Sequence, residues 1–488
     1  MLVDHESNNG AGNFLSGEVI VRLSDSQVNR DALDALRESV GAELVSSTVK
    51  WGFQLWRFDG VATDAAIAER NASGVTEYTE YVQANYVLTT ADFEAEATVP
   101  NDPSFPNMWG LDNTGQSGGT PDADIDAPEA WDVSTGAGVV VGVIDTGVDY
   151  NHPDLINQMW INTGEIAGNA IDDDGNGFVD DVYGYDFANE DGDPWDDDGH
   201  GTHVAGTIAA QGNNNTGVVG VAYNAEIMAL KFLDANGSGS TFDAIRAVEY
   251  ATLMGADLTN NSWGGGGFSQ GLYDAIELAG QAGQLFIAAA GNGGADQIGD
   301  NNDLTPHYPS NYDLDNIISV AATDRNDNLT SFSNYGATSV DLAAPGASIL
   351  NTLPGNSYGY FNGTSMATPH VAGVAALIMA SEPNLTYDQV KARILDSVDP
   401  IAGLNGITVT GGRLNAADSL APPQPGSISG MLWNDLDNDG VQDGGEGGLS
   451  GWTVYLDANS NGVLDGGEAT AVTNGAGQYT FANTPSPM

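Results

Sequence analysis

Three short segments of this chain carry an Asp, a His and a Ser in settings where a hydroxyl could become a nucleophile. The first, VVVGVIDTGVDYNHPDL (139–155), ends an apolar run on Asp145, where a carboxylate is costly unless it is paired. The second, DDDGHGTHVAGTIAA (196–210), holds His200 and His203 ahead of small residues that let a helix pack closely. The third, FNGTSMATPHVAGVAALIMA (361–380), places Ser365 after Gly363 and Thr364, just where a helical apolar run begins. A helix start offers amide donors and a positive dipole end to developing negative charge. A Ser hydroxyl is a weak nucleophile until an imidazole takes its proton. The imidazole in turn needs a carboxylate to hold its tautomer and stabilise the imidazolium. Taken singly, these residues also fit a strand-end cap, a core histidine and a helix-capping serine. Taken together, with their flanks, they fit nucleophilic acyl transfer.

A second chemistry is written in carboxylate loops. Calcium takes hard oxygen ligands, and a 12-residue loop supplies them from positions 1, 3, 5, 9 and 12 with Gly at 6. DLDNDGVQDGGE (435–446) fits with Asp435, Asp437, Asp439, Gly440, Asp443 and Glu446. DANSNGVLDGGE (457–468) fits again with Asp457, Asn459, Asn461, Gly462, Asp465 and Glu468, 22 residues on from 435 to 457. A third loop, DDDGNGFVDD (172–181), offers Asp172, Asp174, Asn176 and Asp180 but lacks the closing Glu. Short β-patterned runs flank the first two, so helix-flanked EF-hands are not expected there.

DTGVDYNHPDL, HGTHVAG and GTSMATPHVAG closely resemble the three signature segments of the subtilisin-like (subtilase) serine peptidases, over about residues 101–418. The resemblance implies Asp145 as the orienting acid, His200 as the general base and acid, and Ser365 as the nucleophile. His203, one turn on, is then structural. AAAGNGG (288–294) resembles the family's oxyanion segment and implies that Asn292 donates its amide beside the Ser365 backbone N–H. NSWGGGG (261–267) resembles the edge strand that pairs with extended substrate. Ser262, Trp263 and Gly264 are then one wall of the P1 pocket, opposite Ala289, Ala290 and Gly291. Trp263 stands where the family more often has an aliphatic residue. Asp154 and Asn214, with the carbonyls of Gly212, Thr216 and Val218, align with a stabilising calcium site. YTEYVQANYV (78–87) resembles the last strand of the family's propeptide, an inhibitor and folding aid. The C-terminal segment looks like the calcium-binding B-type repeats of bacterial surface adhesins.

The elements that must carry these residues follow from periodicity. Residues 1–17 read as disordered. Residues 18–90 read as a small α+β unit. Its expected strands are EVIVRL (18–23), FQLWRF (53–58) and 78–90, and its expected helices 30–41 and 62–72. An acidic linker follows (91–104). From 105 to 418 the pattern is α/β. GVVVGVID (138–145), EIMALKFL (226–233), QLFIAAAG (284–291) and NIISVAAT (316–323) read as buried parallel strands. Helical patterns at 241–255 and 271–283 lie between them. The expected fold is a mostly parallel, subtilisin-like sheet with helices on both faces and its site at the carboxyl ends of the strands. A Pro-rich linker (419–427) leads to a β-sandwich-like calcium module (428–488), which the chain's early stop predicts to be cut short.

Composition sets the outer limits. With 12 Lys plus Arg against 67 Asp plus Glu, the formal net charge is −55, which repels nucleic acid and anionic membranes. The chain has no cysteine, so disulfides and thiol catalysis are excluded. No apolar run reaches the ~18 residues of a membrane span, and Met1–Leu15 lacks the pattern of a signal peptide. The expectation is a monomeric, secreted or cell-surface proenzyme with structural Ca2+, its own propeptide as inhibitor, and protein or peptide substrates. Secretion rests on the resemblance alone. The rival expectation is a non-catalytic, calcium-binding surface or adhesion protein on the same scaffold. A ligase or lipase-type esterase shares the triad chemistry but not the flanks.

Overall fold

The structure is a computed structural model. It describes residues 99–421 without interruption; before them 5–7, 13–23, 34, 37–38, 41–47, 53–58 and 79–86; and after them 426–436, 442, 444–457, 463–465 and 468–484. The chain divides into two compact units, Met1–Ala95 and Glu96–Met488.

The first unit is an antiparallel sheet of β1 (His5–Ser7), β2 (Asn13–Leu23), β3 (Ala42–Ser47), β4 (Phe53–Phe58) and β5 (Thr79–Tyr86). Its order is β1-β2-β4-β3, and β5 also pairs with β2. Alternation decides which face is covered: Val19 and Val21 on β2 and Trp56 and Phe58 on β4 are all buried. Two elements depart from the expectation. Residues 1–17, read as disordered, contain β1 paired to the start of β2, with His5 opposite Leu15. β3 was not foreseen, because AELVSS offers only a short, weak alternation around Ala42 and Leu44. Of the helix expected over 30–41, residues 34, 37 and 38 are helical. The helix expected over 62–72 lies outside the described residues.

The second unit is built on a nine-stranded sheet. Its strands are β6 (Val140–Asp145), β7 (Gly184–Asp186), β8 (Glu226–Lys231), β9 (Leu258–Asn261), β10 (Leu285–Ala289), β11 (Ile317–Thr323), β12 (Leu342–Pro345), β15 (Asp399–Pro400) and β16 (Gly412–Arg413). They run in the order β15-β16-β12-β11-β10-β9-β6-β8-β7, all parallel except the β15–β16 pair. A separate hairpin, β13 (Ile349–Leu353) and β14 (Ser357–Phe361), precedes the segment carrying Ser365. The helices are α1 (Ala127–Trp131), α2 (His200–Ala209), α3 (Thr241–Leu253), α4 (Gln270–Gln281), α5 (Thr364–Ser381), α6 (Tyr387–Asp396) and α7 (Ala416–Leu420).

The continuous apolar runs are explained by burial on both faces. Val141, Val143, Ile227, Ala229, Leu285 and Ile287 pack with α2 and α5 in one core. Their neighbours Ile144, Met228, Leu230, Phe286 and Ala288 pack with α3 and α4 in the other. β9, in the middle of the sheet, gave no apolar signal because its sequence is LTNN. It is nonetheless fully buried. The amide nitrogens are bonded locally, Asn261 Nδ2 to Thr259 Oγ1 at 2.9 Å and Asn260 Nδ2 to Ser262 Oγ at 3.0 Å, while both amide oxygens are buried without a partner among the described residues.

The C-terminal segment forms two small sheets. β17 (Gly426–Met431) pairs with β20 (Gln478–Thr484), and β18 (Thr453–Tyr455) with β19 (Thr470–Val472). The second carboxylate loop is the connection from β18 to β19.

Candidate active site

β6 is flanked by β8 on one side and β9 on the other, so the chain leaves it in both directions and a crevice opens at its carboxyl end. Asp145 is the last residue of β6 and is fully buried. Its Oδ1 accepts from the Thr146 amide at 2.7 Å and from His200 Nδ1 at 2.8 Å. Its Oδ2 is buried with no partner among the described residues. His200 opens α2, and its side chain keeps 26% exposure, enough to reach a substrate. Burial works against charging the ring. The Asp145 carboxylate, helped by Asp198 and Asp196, more than offsets that and lifts the His200 pKa above its ordinary value.

Asp196 carries a role that the sequence did not reveal. Its Oδ1 accepts from Thr146 Oγ1 (2.9 Å) and the Gly199 amide (2.8 Å), and its Oδ2 from the amide (2.8 Å) and hydroxyl (2.6 Å) of Thr202. It therefore caps the start of α2 and ties it to the end of β6. Gly201 allows the approach: a Cβ there would lie 2.1 Å from the Gly147 carbonyl oxygen. His203 is fully buried, stacks on Phe361 and shares its Nε2 with the carbonyls of Ile349 and Gly359. Burial pushes its pKa down to about 4, which keeps it neutral and leaves base chemistry to His200.

Ser365 is the second residue of α5. Its Oγ donates to the Ser262 carbonyl at 3.0 Å and makes no hydrogen bond to His200. In an unliganded site such bonds are often loose and tighten with substrate. The reciprocal bond, Ser262 Oγ to the Ser365 carbonyl at 2.8 Å, has a sequence cause. Pro369 lies inside α5, four residues on, and has no N–H to bond that carbonyl. The freed oxygen binds the substrate-side strand instead.

Asn292 faces the same place from the end of β10. Its Oδ1 accepts from the Thr364 amide (2.9 Å) and hydroxyl (3.1 Å), which turns Nδ2 outward. A Cβ built on Gly363 would lie 3.5 Å from both Asn292 Nδ2 and the Ser365 amide. Both donors thus face one point that only glycine leaves open, and Gly363 has a φ of 155°. We expect Asn292→Ala to lower kcat by about 10²–10³-fold with little change in KM, since the donor matters only once the oxyanion forms. Steady-state kinetics on a peptide anilide check this.

His200, Ser262, Trp263 and Gly264 line one cleft of about 540 Å³, together with Phe232, Leu233 and Tyr308. Ala290 turns its methyl into a core cluster with Ala321 and Val340, and Ala289, Ala290 and Gly291 are not among the residues lining that cleft. The Gly291 amide donates to Thr364 Oγ1 at 3.1 Å.

The expected metal ligands group unevenly. Asp154 is buried and accepts from Asn214 Nδ2 (2.9 Å), the Val218 amide (3.1 Å) and the Tyr358 hydroxyl (2.9 Å). Asp102, unmarked by any motif, joins them. It is 2% exposed and accepts from the amides of Asn213 (2.8 Å) and Asn214 (3.3 Å). Its pKa is raised by burial and by the Asp154 charge. Neither carboxylate meets a Lys or Arg among the described residues, so the pair fits a cation. Asn214 Oδ1 accepts from the Thr216 amide at 2.7 Å, so presenting that oxygen to a cation would mean giving up this bond.

In the 172–181 loop, oxygens of Asp172 and Asp174 lie within 4.8 Å of each other and of Glu165, which supplies the carboxylate the loop lacks. Asn176 stays close, with Nδ2 at 3.3 Å from Asp174 Oδ2. Asp180 instead accepts from the amides of Asn169 and Ala170. In the C-terminal loops, Glu446 Oε1 accepts from the Leu436 amide (2.6 Å) and Glu468 Oε2 from the Asp465 amide (2.9 Å). Asp435 and Asp457 are described. Asp437, Asp439, Gly440, Asp443, Asn459, Asn461 and Gly462 lie outside the described residues.

A parallel α/β sheet presenting an Asp–His pair, a helix-start Ser and a convergent amide defines a serine peptidase. The chain belongs to the Subtilase family (Peptidase_S8), whose profile matches residues 136–443. A fervidolysin-type N-terminal prodomain matches residues 3–85 and an SdrD B-like domain residues 426–486. The chain is 36% identical to a thermophilic serine proteinase of Bacillus sp. (strain AK1) over 86% of its length and 90% of that protein. It is 40% identical to thermitase of Thermoactinomyces vulgaris over 60% of its length and 92% of thermitase. A solved protease structure from Pseudoalteromonas arctica aligns with a TM-score of 0.53 at 32% identity, covering 66% of this chain and 99% of that one. The protein is a subtilisin-like serine endopeptidase with a prodomain. No helix among the described residues is long and apolar enough to cross a membrane.

Proposed function

We propose that this chain is an extracellular proenzyme that hydrolyses protein substrates through an acyl-enzyme and is stabilised by calcium. The observation that carries the reading is the His200–Asp145 bond at 2.8 Å, beside a Ser365 whose amide shares its focus with Asn292. Substrate lies extended along Ser262–Gly264. His200 Nε2 takes the Ser365 Oγ proton as Oγ attacks the scissile carbonyl carbon. The carbonyl oxygen becomes an oxyanion held by Asn292 Nδ2 and the Ser365 amide. His200 then returns the proton to the leaving amine. Water, activated by the same ring, hydrolyses the ester and frees Ser365. Labelling of Ser365 by a fluorophosphonate together with casein hydrolysis tests this. A chain that folds but neither labels nor cleaves would be the surface protein of the rival reading.

Calcium supplies charge compensation, not chemistry. Asp102, Asp154 and Asn214 would hold one ion directly after α2. Asp172, Asp174, Asn176 and Glu165 would hold a second, and the 435–446 and 457–468 loops further ions. An ion that binds only the folded state at a hundredfold excess over Kd adds about 2.7 kcal/mol. We therefore expect Asp154→Ala to lower the melting temperature of the catalytic activity by on the order of 5–10 °C in calcium. Asp435→Ala with Asp457→Ala should reduce bound calcium yet leave peptidase activity unchanged. Calorimetry with and without chelator, beside a peptidase assay, separates the two. Equal losses of catalytic stability would show that the sites are coupled.

A further inference from the structure

Lys231 is the last residue of β8 and is fully buried. An ammonium in such a place is costly unless it is paired and its donors are used. Nζ donates to the Thr146 carbonyl at 2.7 Å, to Asp197 Oδ1 at 2.7 Å and to the Leu233 carbonyl at 2.9 Å. Those three bonds use every donor an ammonium has. The backbone of Lys231 is fixed by the sheet, in register with Asp145 on β6 and with Asp186 on β7.

Two of the three partners adjoin the catalytic pair. Thr146 follows Asp145 and gives its amide to Asp145 Oδ1 at 2.7 Å. Asp197 stands three residues before His200, in the turn leading into α2. The two segments press closely together. The Val148 amide donates to the Pro194 carbonyl at 3.0 Å, and a Cβ on Gly147 would lie 2.5 Å from that same oxygen. Lys231 adds a charged bridge between the carbonyl after the acid and the turn before the base.

Its charge is isolated. The elements packed about His200 carry Asp145 and Asp149 at the end of β6, Asp186 on β7, Asp196, Asp197 and Asp198 ahead of α2, and Asp234 after β8. They also carry His203 on α2, His370 on α5, and Lys231. Burial pushes both His203 and His370 down to about 4, so neither is charged near neutral pH. Lys231 is therefore the one positive charge set against these carboxylates. Asp186 feels it: burial raises that carboxyl, while the bonds from Asn189 and the Lys231 charge oppose the rise.

We propose that Lys231 is a positioning residue of the catalytic pair, and that its charge keeps the His200 imidazole in the uncharged, proton-accepting form against the pull of the surrounding carboxylates. It acts through Thr146 and Asp197 and not on substrate. The bridge brings the Thr146 amide and the His200 ring to one oxygen, Asp145 Oδ1. The charge offsets carboxylates that would otherwise favour the imidazolium. This inference rests on the endopeptidase reading above.

The test follows kcat and KM for one peptide anilide against pH, at low ionic strength, in the processed wild type, Lys231→Met, Lys231→Arg and Asp197→Asn. Labelling of Ser365 by a fluorophosphonate counts the folded sites in each. Lys231→Met should lower kcat about tenfold with KM little changed, because the pair is no longer held in place. Its acid limb should move up by on the order of half a pH unit, since losing a nearby positive charge favours the imidazolium. Asp197→Asn keeps an oxygen for Nζ but removes a negative charge, so its limb should move down by a similar amount. Lys231→Arg keeps the charge and should leave the limb at the wild-type pH. A residue that served packing alone would give no such opposed shifts. Limbs that stay together, or move the same way in Lys231→Met and Asp197→Asn, overturn the proposal. Should Lys231→Met give no labelled protein, Asp197→Asn decides, and a limb that does not move down overturns the proposal. A wild type inert toward casein and every peptide overturns the endopeptidase reading, and this one with it.

Discussion

Ser365→Ala yields a chain that folds normally, stays at full length and has lost about six orders of magnitude of kcat, the size of loss seen in subtilisin itself. The hydroxyl is the only atom of Ser365 that the chemistry consumes. Its amide, which serves the oxyanion, and its carbonyl, which holds Ser262, survive the change. The α5 start is fixed by Asn292 Oδ1 on the Thr364 amide, so the substitution leaves no hole in the helix. The remaining groups still bind and polarise a peptide, but no covalent intermediate forms. The same loss stops self-processing, expected in the wild type between about Leu88 and Asn101, so residues 1–90 remain attached. Mass spectrometry of the purified variant beside a casein assay reads both effects. Wild-type proteolysis, or a mature N-terminus in this variant, would remove Ser365 as nucleophile.

Asp145→Asn should cost about 10⁴-fold in kcat near neutral pH while the fold persists. Oδ1 is both the acceptor of the Thr146 amide and the partner of His200 Nδ1. An asparagine that keeps both bonds through its oxygen still holds the ring but carries no charge, so the imidazolium that forms as His200 takes the serine proton loses its counter-charge. The pH profile provides a second readout. Activity needs the neutral ring, so kcat/KM rises as pH climbs through the His200 pKa and is lost below it. That pKa is raised above the ordinary imidazole value because the Asp145 charge outweighs burial. In Asp145→Asn burial is left without that opposition, so the acid limb moves to lower pH even as the plateau falls. An unchanged limb would mean that Asp145 does not face His200 in solution.

Much of this site is legible in the sequence because its parts are local. Asp145 ends an apolar strand, His200 and Ser365 start helices, and Asn292 follows a strand; each is announced by a few neighbours. What escaped is what only folding brings together. Asp102 comes to Asp154 and Asn214 from far along the chain. Glu165 joins Asp172 and Asp174 by the return of a loop. Lys231 reaches Thr146 and Asp197 from the end of a neighbouring strand. β9 escaped for another reason: it is a buried strand of Thr and Asn held partly by side-chain hydrogen bonds, which hydrophobic periodicity cannot register.

Pro369 has a bearing on how this protein can change. Proline inside a helix costs roughly 3 kcal/mol against alanine, so selection for heat resistance alone would favour its replacement. Any other residue there restores an amide that competes with Ser262 for the Ser365 carbonyl. The gain in toughness would loosen the grip between nucleophile and substrate strand. At that single backbone bond, a sturdier helix and a firmly held neighbouring strand compete for one oxygen.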